Sequence, residues 1–357
     1  MGVSIKGRAR LLALTLLLPP LLLLPLGQAG AVPAPVSAAA PAALPIMAAA
    51  PATAPPPPST PLRLQAIPVS PHVYYFQGQS GVAGADNQGF MSNAGFVVTA
   101  DGVLVFDTLG SPALGEAMLQ AIARVTRQPV RRVIVSHYHA DHFYGLQAFK
   151  ARGAQVWAHE NGKLYLASDL ARERLEQRRS ALAPWVNEQT RLVPADRWLS
   201  FGPSGELAFE MGGLHLRIID SSGAHSEGDI MLAVDEDRML FAGDLFFTGR
   251  IPFVGDADSK VWLTALERML ALRPQVVVPG HGAMSRAPLA DIALTRDYLL
   301  FLRDKMGAAV ADMVPFEQAY AQTDWGRFAQ YPAFAAANRL NAYGTYILME
   351  RESLQAR

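Results

Sequence analysis

The chain has 357 residues and no cysteine. That absence excludes disulfide frameworks, thiolate zinc ribbons, iron–sulfur clusters and thiol nucleophiles together. An excess of one charge is also missing. With 31 Lys+Arg against 31 Asp+Glu, the electrostatic footprint of a general nucleic-acid binder is not there. A Gly-x-Ser-x-Gly elbow and a Walker-type phosphate loop are lacking as well. Finally, no acidic residue occurs before Asp86, which sets the first part of the chain apart from the rest.

That first part reads as targeting and spacing. Lys6, Arg8 and Arg10 precede an apolar run over 11–26 that holds eleven leucines. Gln28-Ala29-Gly30-Ala31 then offers a small-residue cleavage site, so residues 1–31 read as a secretory signal peptide. Pro19, Pro20 and Pro25 interrupt the run, and it is shorter than the ~20 residues that span a bilayer, so a cleaved leader is expected rather than an anchor. Residues 32–61 are nearly all Ala and Pro, and half of the chain's 26 prolines lie at or before Pro61. Such a stretch favours extended polyproline conformation and serves as a linker. Beyond the leader the composition is mildly acidic, because the leader takes three basic residues with it. A periplasmic or secreted protein is expected, folded over 62–357.

From Leu62 the pattern becomes that of a packed domain. Val73 to Phe76, Gly95 to Thr99 and Val103 to Asp107 read as strands, with a hairpin turn at Asp101-Gly102. Ser111 and Pro112 open a helix that runs to about Val125. Arg132 to Ser136 and Ala154 to Ala158 are strands around a short helix over Leu146 to Ala151, and Lys163 to Leu182 reads as one long helix. Strand patterns then crowd over Leu207 to Met211, Leu214 to Ile219, Met231 to Val234 and Met239 to Ala242. A helix over Val261 to Leu272, a strand over Val276 to Val278 and a helix over Pro288 to Met306 follow, and the tail from about 288 is helical. Strands, then a strand–helix alternation, then strands again predict a layered α/β sandwich rather than a doubly wound sheet.

One stretch carries chemistry. Val133-Ile134-Val135 leads straight into Ser136-His137-Tyr138-His139-Ala140-Asp141-His142. Side chains two apart on extended chain point the same way, so His137 and His139 can share one ion. Asp141 and His142 follow where the chain turns and can face a second. Imidazole and carboxylate are what zinc accepts when thiolates are absent. Three more donors each follow an apolar run and have glycine close by: His225 in Gly223-Ala224-His225, Asp244 in Ala242-Gly243-Asp244, and His281 in Gly280-His281-Gly282.

In order and spacing, these residues resemble the metallo-β-lactamase-fold hydrolase superfamily over about residues 93–282. The resemblance implies an α/β fold, an αββα sandwich of two mixed β-sheets flanked by helices, with a helical C-terminal extension. It implies that His137, His139 and His225 hold one metal and that Asp141, His142 and His281 hold the second. Asp244 then bridges them, and Asp107 braces the metal loop without binding metal. It further implies two zinc ions, a bridging hydroxide as nucleophile, and Asp141 as the residue that orients or shuttles its proton. The context of Asp244 is similar to glyoxalase-II-type hydrolases, and the overall texture to exported Sox-type members. The expected function is cleavage of an ester, thioester, lactone or lactam in a small molecule, with no nucleic-acid partner and no stable membrane insertion once the leader is removed. The alternatives are a class B-like β-lactamase and a mononuclear iron oxidoreductase of the persulfide-dioxygenase type.

Other residues carry weaker expectations. The glycine-rich loop over 78–91 is either a flap over the metals or a plain surface loop. Arg250 is a candidate for a substrate carboxylate, though a surface salt bridge is the default for such a residue. Trp185, Tyr343 and Tyr346 are expected in the core. Arg172, Arg174, Arg178 and Arg179 alternate with Glu173 and Glu176 as a solvated helix face. His72, His159 and His215 fall outside the ligand pattern.

Overall fold

Side-chain alternation along the strands builds the layers. The computed structural model describes residues 62–255 and 257–355, all within the unit Pro55–Arg357. The leader over 1–31 and the linker over 32–61 lie outside the described residues. A seven-stranded sheet runs in chain order through β1 (Ile67–Pro68), β2 (Val73–Phe76), β3 (Ala94–Thr99), β4 (Gly102–Phe106), β5 (Val130–Ile134), β6 (Gln155–His159) and β7 (Arg197–Leu199). Its first four strands pair antiparallel and its last four parallel. The second sheet holds β8 (Glu206–Met211), β9 (Leu214–Asp220), β10 (Ile230–Val234), β11 (Met239–Phe247) and β12 (Val276–His281), in the order β12-β11-β10-β9-β8. Only β11 and β12 run parallel in it. Both sheets are mixed.

The helices cover the two outer faces. They are α1 (Pro112–Val125), α2 (Ala140–Phe143), α3 (Leu146–Lys150), α4 (Gly162–Ala167), α5 (Asp169–Ala181), α6 (Ser259–Ala271), α7 (Pro288–Asp291), α8 (Ala293–Ala311), α9 (Phe316–Gln322) and α10 (Phe334–Gln355). Along β4, Val103 and Val105 pack with Leu114, Met118 and Ile122 of α1. The alternate residues Leu104 and Phe106 turn the other way and meet Leu216, Ile218 and Leu232 of the second sheet. Along β11, Leu240 and Ala242 pack with Trp262 and Leu266 of α6 and Leu302 of α8, while Met239 and Phe241 enter the space between the sheets. The period of two thus sorts one strand into two cores, and the result is the αββα sandwich with α8–α10 as its helical extension.

Several elements form as their sequences dictate, and others differ in instructive ways. Ser111 caps α1, its hydroxyl accepting from Leu114 N at 3.2 Å, with Pro112 in the first turn. The expected long helix over Lys163 to Leu182 is instead two, because Ser168 adopts extended backbone and its hydroxyl caps α5 at Ala171 N. The expected helix over Pro288 to Met306 likewise divides into α7 and α8. Tyr343 does not join the core: it is 50% exposed, whereas Trp185 is buried. β11 runs five residues beyond the expected Met239 to Ala242, passing through irregular pairing at Gly243.

Phe241 stacks on Phe106 at 5.2 Å between the sheets and is almost completely buried. Phe241→Ala is expected to cost about 3–5 kcal/mol of unfolding free energy, against about 0.5 kcal/mol or less for Leu340→Ala on an exposed helix face. Urea denaturation of both variants measures this, and equal losses would contradict the inter-sheet packing.

Candidate metal centre

Strand ends and the loops that follow them deliver every donor. The chain leaves β5, keeps pairing through Val135 N to Trp157 O at 3.0 Å, and reaches His137 after Ser136. His139 is the extended residue before α2, and Asp141 and His142 lie within that short helix. His225 stands in the β9–β10 loop, Asp244 on β11 and His281 at the end of β12. Gly243 has φ +54, and a Cβ there would stand 3.0 Å from Ser136 Cβ, so this glycine lets β11 pass close beneath the histidine loop. A Cβ on Gly280 would stand 2.0 Å from Asp244 Oδ1.

All seven donors named from the sequence converge, in two groups. His137, His139, His225 and Asp244 place ligand atoms within 4.8 Å of one another, and so do Asp141, His142 and His281. Asp244 lies between the groups. Its Oδ2 is 3.4 Å from His225 Nε2 and 3.9 Å from His137 Nε2, while its Oδ1 is 3.1 Å from His142 Nε2 and 3.3 Å from His281 Nε2. Asp141 Oδ2 is 3.4 Å from His281 Nε2 and 3.6 Å from His142 Nε2. Four nitrogens about 2.0–2.1 Å from one ion in a tetrahedron lie roughly 3.4 Å apart, so these separations suit shared ligation.

The hydrogen bonds behind the rings aim lone pairs inward. Asp107 accepts from Ser136 N at 2.7 Å and from Ser136 Oγ at 2.7 Å, and His142 Nδ1 donates to it at 2.8 Å. With its proton given to Asp107, Ser136 Oγ can only accept from His137 Nδ1, 2.9 Å away. In the neutral rings both Nε2 atoms are then bare acceptors. His137 Nε2, His142 Nε2 and Asp244 Oδ1 are buried without a hydrogen-bond partner among the described residues, and such groups are rare unless a ligand takes them. The donor set, its tautomers and its orphaned atoms therefore fit a divalent cation in each group.

Electrostatics agree. Burial and the neighbouring histidines hold the His137 imidazole well below its ordinary value, and burial takes His225 down to about 3. Burial lowers His139 too. These rings stay neutral, as ligation requires. At His142 burial opposes charging, but Asp244, Asp141 and Asp107 together outweigh it and raise the ring well above the usual range. Cation binding at His142 therefore releases a proton.

Other expectations fare differently. Arg250 is no surface residue: it is wholly buried, with Nη1 3.1 Å from His281 Nδ1. The 78–91 loop has an exposed tip at Val82, but its end is wedged against the centre, where Met91 O accepts from His281 Nδ1 at 2.8 Å. Arg172 pairs with Asp169 and Arg179 with Glu176, on the solvated face. Arg174 is exposed and Arg178 is half-buried; neither pairs with a described residue, and their charges act on His139 and Asp141 respectively. His72 pairs with Asp237 and His215 with Glu236, while His159 stacks on Phe201.

Sequence reasoning missed several supporting residues. Ser92 Oγ donates to Asp141 O at 2.5 Å. Asn93 Nδ2 donates to Pro279 O and Gly282 O, both at 2.8 Å, clamping β3 to the His281 turn. Their polar pair between a glycine-rich loop and an apolar strand was the available signal. Trp262 packs edge-on to His225 at 5.1 Å, and Phe247 lies flat on His281 at 5.1 Å. Asp229 accepts from Ser226 N at 2.6 Å and Ser226 Oγ at 2.7 Å, which shapes the turn that carries His225.

A model of the metallo-beta-lactamase superfamily matches residues 87–281, which includes every donor of the centre. The chain belongs to this superfamily. Among individual proteins, it is similar to the 2,4-dinitroanisole O-demethylase subunit alpha of Nocardioides sp. (strain JS1661), 26% identical over 67% of this chain and 70% of that one. It is also similar to the linear primary-alkylsulfatase of Pseudomonas sp. (strain ATCC 19151), 21% identical over 57% of this chain and 44% of that one. In fold it is similar to the sec-alkylsulfatase Pisa1 from Pseudomonas sp., with TM-score 0.61 and 17% identity over 79% of this chain and 50% of that one. The chain thus spans about half the length of either alkylsulfatase it matches. Hydrolases are represented among these superfamily members.

Burial pushes the Asp229 carboxyl up to about 8, against the opposing hydrogen bonds from Ser226. A folded-state value above the unfolded one means that the native state takes up a proton, so this contribution is full below about pH 4 and lost as pH rises toward 8. His137, His139 and His225, lowered by burial, act in the opposite sense below about pH 6.5, and His142, raised by its carboxylate neighbours, acts in the same sense above it. The test is therefore the difference in urea stability between Asp229→Asn and wild type, both metal-free. It is expected to grow in favour of the variant from pH 5 to 8, by at most about 1.4 kcal/mol per pH unit. A flat difference would contradict the assignment.

Proposed function

We propose that this chain is an exported metal-dependent hydrolase whose two buried clusters hold a pair of divalent cations, zinc by preference, and which cleaves an ester-type bond in a small anionic molecule. The observation that carries the reading is Asp244, which turns one carboxylate oxygen toward each cluster. Bound there, such cations supply Lewis acidity at the scissile bond and lower the pKa of a water. Zinc suits a set of imidazoles and carboxylates without thiolate. Export rests on the leader over residues 1–31, and among the described residues no helix is long and apolar enough to cross a membrane.

The chain's own residues then divide the work. Asp107 and Ser136 hold His137 and His142 in the ligating tautomer. Asp141 is the most open carboxylate, its side chain 12% exposed against 6% for Asp244 and 2% for Asp107. It is placed to take a proton from an attacking water and return it to the leaving group. Arg174 and Arg178 stand one turn apart on α5, so both guanidiniums share a face. Neither makes an ion pair or hydrogen bond with a described residue, and their charges reach the centre. They supply the attraction for an anionic substrate.

Sulfate esters fit this reading, as do carboxylate-bearing esters, thioesters and lactones, and the alkylsulfatase similarity favours the first. The context of Asp244, similar to glyoxalase-II-type hydrolases, favours such a hydrolase over a lactamase branch without a bridging carboxylate. A β-lactam is the second substrate class to test.

Purified enzyme is expected to carry about two zinc ions per chain by mass spectrometry of the metals. Asp244→Ala is expected to lose metal and to reduce turnover at least a thousandfold, on the order of 4 kcal/mol in barrier. A panel of alkyl sulfate, carboxylate ester, thioester, lactone and nitrocefin identifies the bond. One iron per chain with oxygen uptake, or full turnover by Asp244→Ala, would overturn the proposal. For whichever anionic substrate is turned over, Arg174→Met with Arg178→Met should raise KM about tenfold at unchanged kcat. An unchanged KM would remove the two arginines from the substrate reading.

A further inference from the structure

β7 closes one end of the first sheet and β8 one end of the second, and the 200–205 loop joins them. On the facing sides of the sheets there, Trp157 of β6 meets Phe209 of β8, with ring centroids 5.5 Å apart. Arg132 of β5 brings its Cζ to 3.7 Å from the Trp157 centroid and 5.1 Å from that of Phe209. Arg197 of β7 brings its Cζ to 4.3 Å from the same Trp157 centroid. β5 and β7 flank β6, so a guanidinium comes to the indole from each neighbouring strand.

An aromatic face attracts one guanidinium, but two brought to one ring also repel each other. Burial, and then the Arg197 charge, hold the Arg132 guanidinium below its ordinary value. A carboxylate would ordinarily relieve such a pair, and here none does. Neither side chain makes an ion pair or a hydrogen bond with a described residue, and Arg132 Nε is buried without a partner. The nearby carboxylates are committed elsewhere. Asp196 takes Lys150 and the Val156 amide, and Glu206 pairs with Arg217 and Arg268. Glu210 follows Phe209 on β8 and so turns to the opposite face of that strand. The indole N–H is taken as well, since Trp157 Nε1 donates to Gln155 Oε1 at 2.9 Å.

Two unpaired guanidinium forks therefore stand at an aromatic edge between the sheets, partly shielded from water. The edge of an aromatic ring is itself positive, so an anion beside it meets favourable charge from the ring and from both forks. A singly charged carboxylate would leave one of the two cations uncompensated, whereas a dianion matches both. Guanidinium forks also suit the oxygen spacing of phosphate-like groups. This edge is separate from the metal centre: Arg132 precedes His137 by five residues, about 16 Å along extended strand.

We propose that Arg132 and Arg197, flanking Trp157 at the open edge between the sheets, form a binding site for a doubly charged tetrahedral oxyanion, phosphate or sulfate, free or carried on a small molecule. A bound dianion there would tie β5 and β7 together through their arginines.

The test is calorimetry on the purified full-length chain at pH 8 and fixed ionic strength, titrating inorganic phosphate, inorganic sulfate, methyl phosphate and acetate. Phosphate and sulfate are expected to bind at least about tenfold more tightly than acetate. A metal centre can also take phosphate, so wild type is compared with Arg132→Met/Arg197→Met at equal metal content, and the double variant should bind phosphate at least about tenfold more weakly. Methyl phosphate binding as tightly as phosphate would support a group carried on a small molecule, and weaker binding the free ion. Phosphate binding unchanged in the double variant, acetate binding equal to phosphate, or tight binding of hexaglutamate with none of phosphate would each overturn the proposal. Should the arginine variants fail to fold, selenate located by its anomalous scattering in wild-type crystals decides it. Selenate between Arg132 and Arg197 would support the site, and selenate at the metal centre alone would overturn it.

Discussion

One carboxylate holds the centre in place. Asp107 ends β4 with a left-handed backbone, φ +61, a conformation that costs a non-glycine residue energy and persists only where surroundings enforce it. Its two oxygens take the Ser136 amide, the Ser136 hydroxyl and the His142 ring at 2.7 to 2.8 Å. Those bonds join two neighbouring parallel strands exactly where the histidine loop begins to diverge from the sheet. Burial raises the Asp107 carboxyl and the charge of His142 opposes that rise, so the group sits in balance with the ring it orients. Without it, His137 and His142 would have no fixed tautomer, and the inward lone pairs would not be defined.

From that anchor the rest of the site is a problem of burying polar atoms. Seven donors lie in or beside a core of aliphatic and aromatic residues, and residues of other elements back several of them. Asn93 and Ser92 tie the start of β3 to the turn after β12 and to α2. Phe247 and Trp262 press on His281 and His225 from the side of α6. Ser226 and Asp229 close the loop between β9 and β10. The positive φ of Gly243 and the missing Cβ of Gly280 let backbone come near enough for Asp244 to reach both groups.

Much of this was legible beforehand, and for identifiable reasons. α1 was readable to the residue because a serine cap, a first-turn proline and an apolar stripe are all local signals. The two sheets followed from strands whose alternate residues are apolar on both faces, as strands between two layers must be. The division at Ser168 was harder, since a capping serine inside a charged helical run looks like one more helix residue. Arg250 illustrates the deeper difficulty. A lone arginine after an apolar strand is statistically a surface group, and nothing within ten residues of it indicates that α10 will cover it through Asn341.

The sequence by itself determined the donors, their order along the chain, the layered fold and the absence of thiolate chemistry, because periodicity and residue type are local properties. It also suggested the grouping, since His137 and His139 are two apart on extended chain. Only the tertiary structure decided that Asp244 lies between the groups and that His281 has a cation behind it. Those facts depend on which element packs over which. Such packing is settled by burial summed over the whole domain, and no short window of sequence contains it.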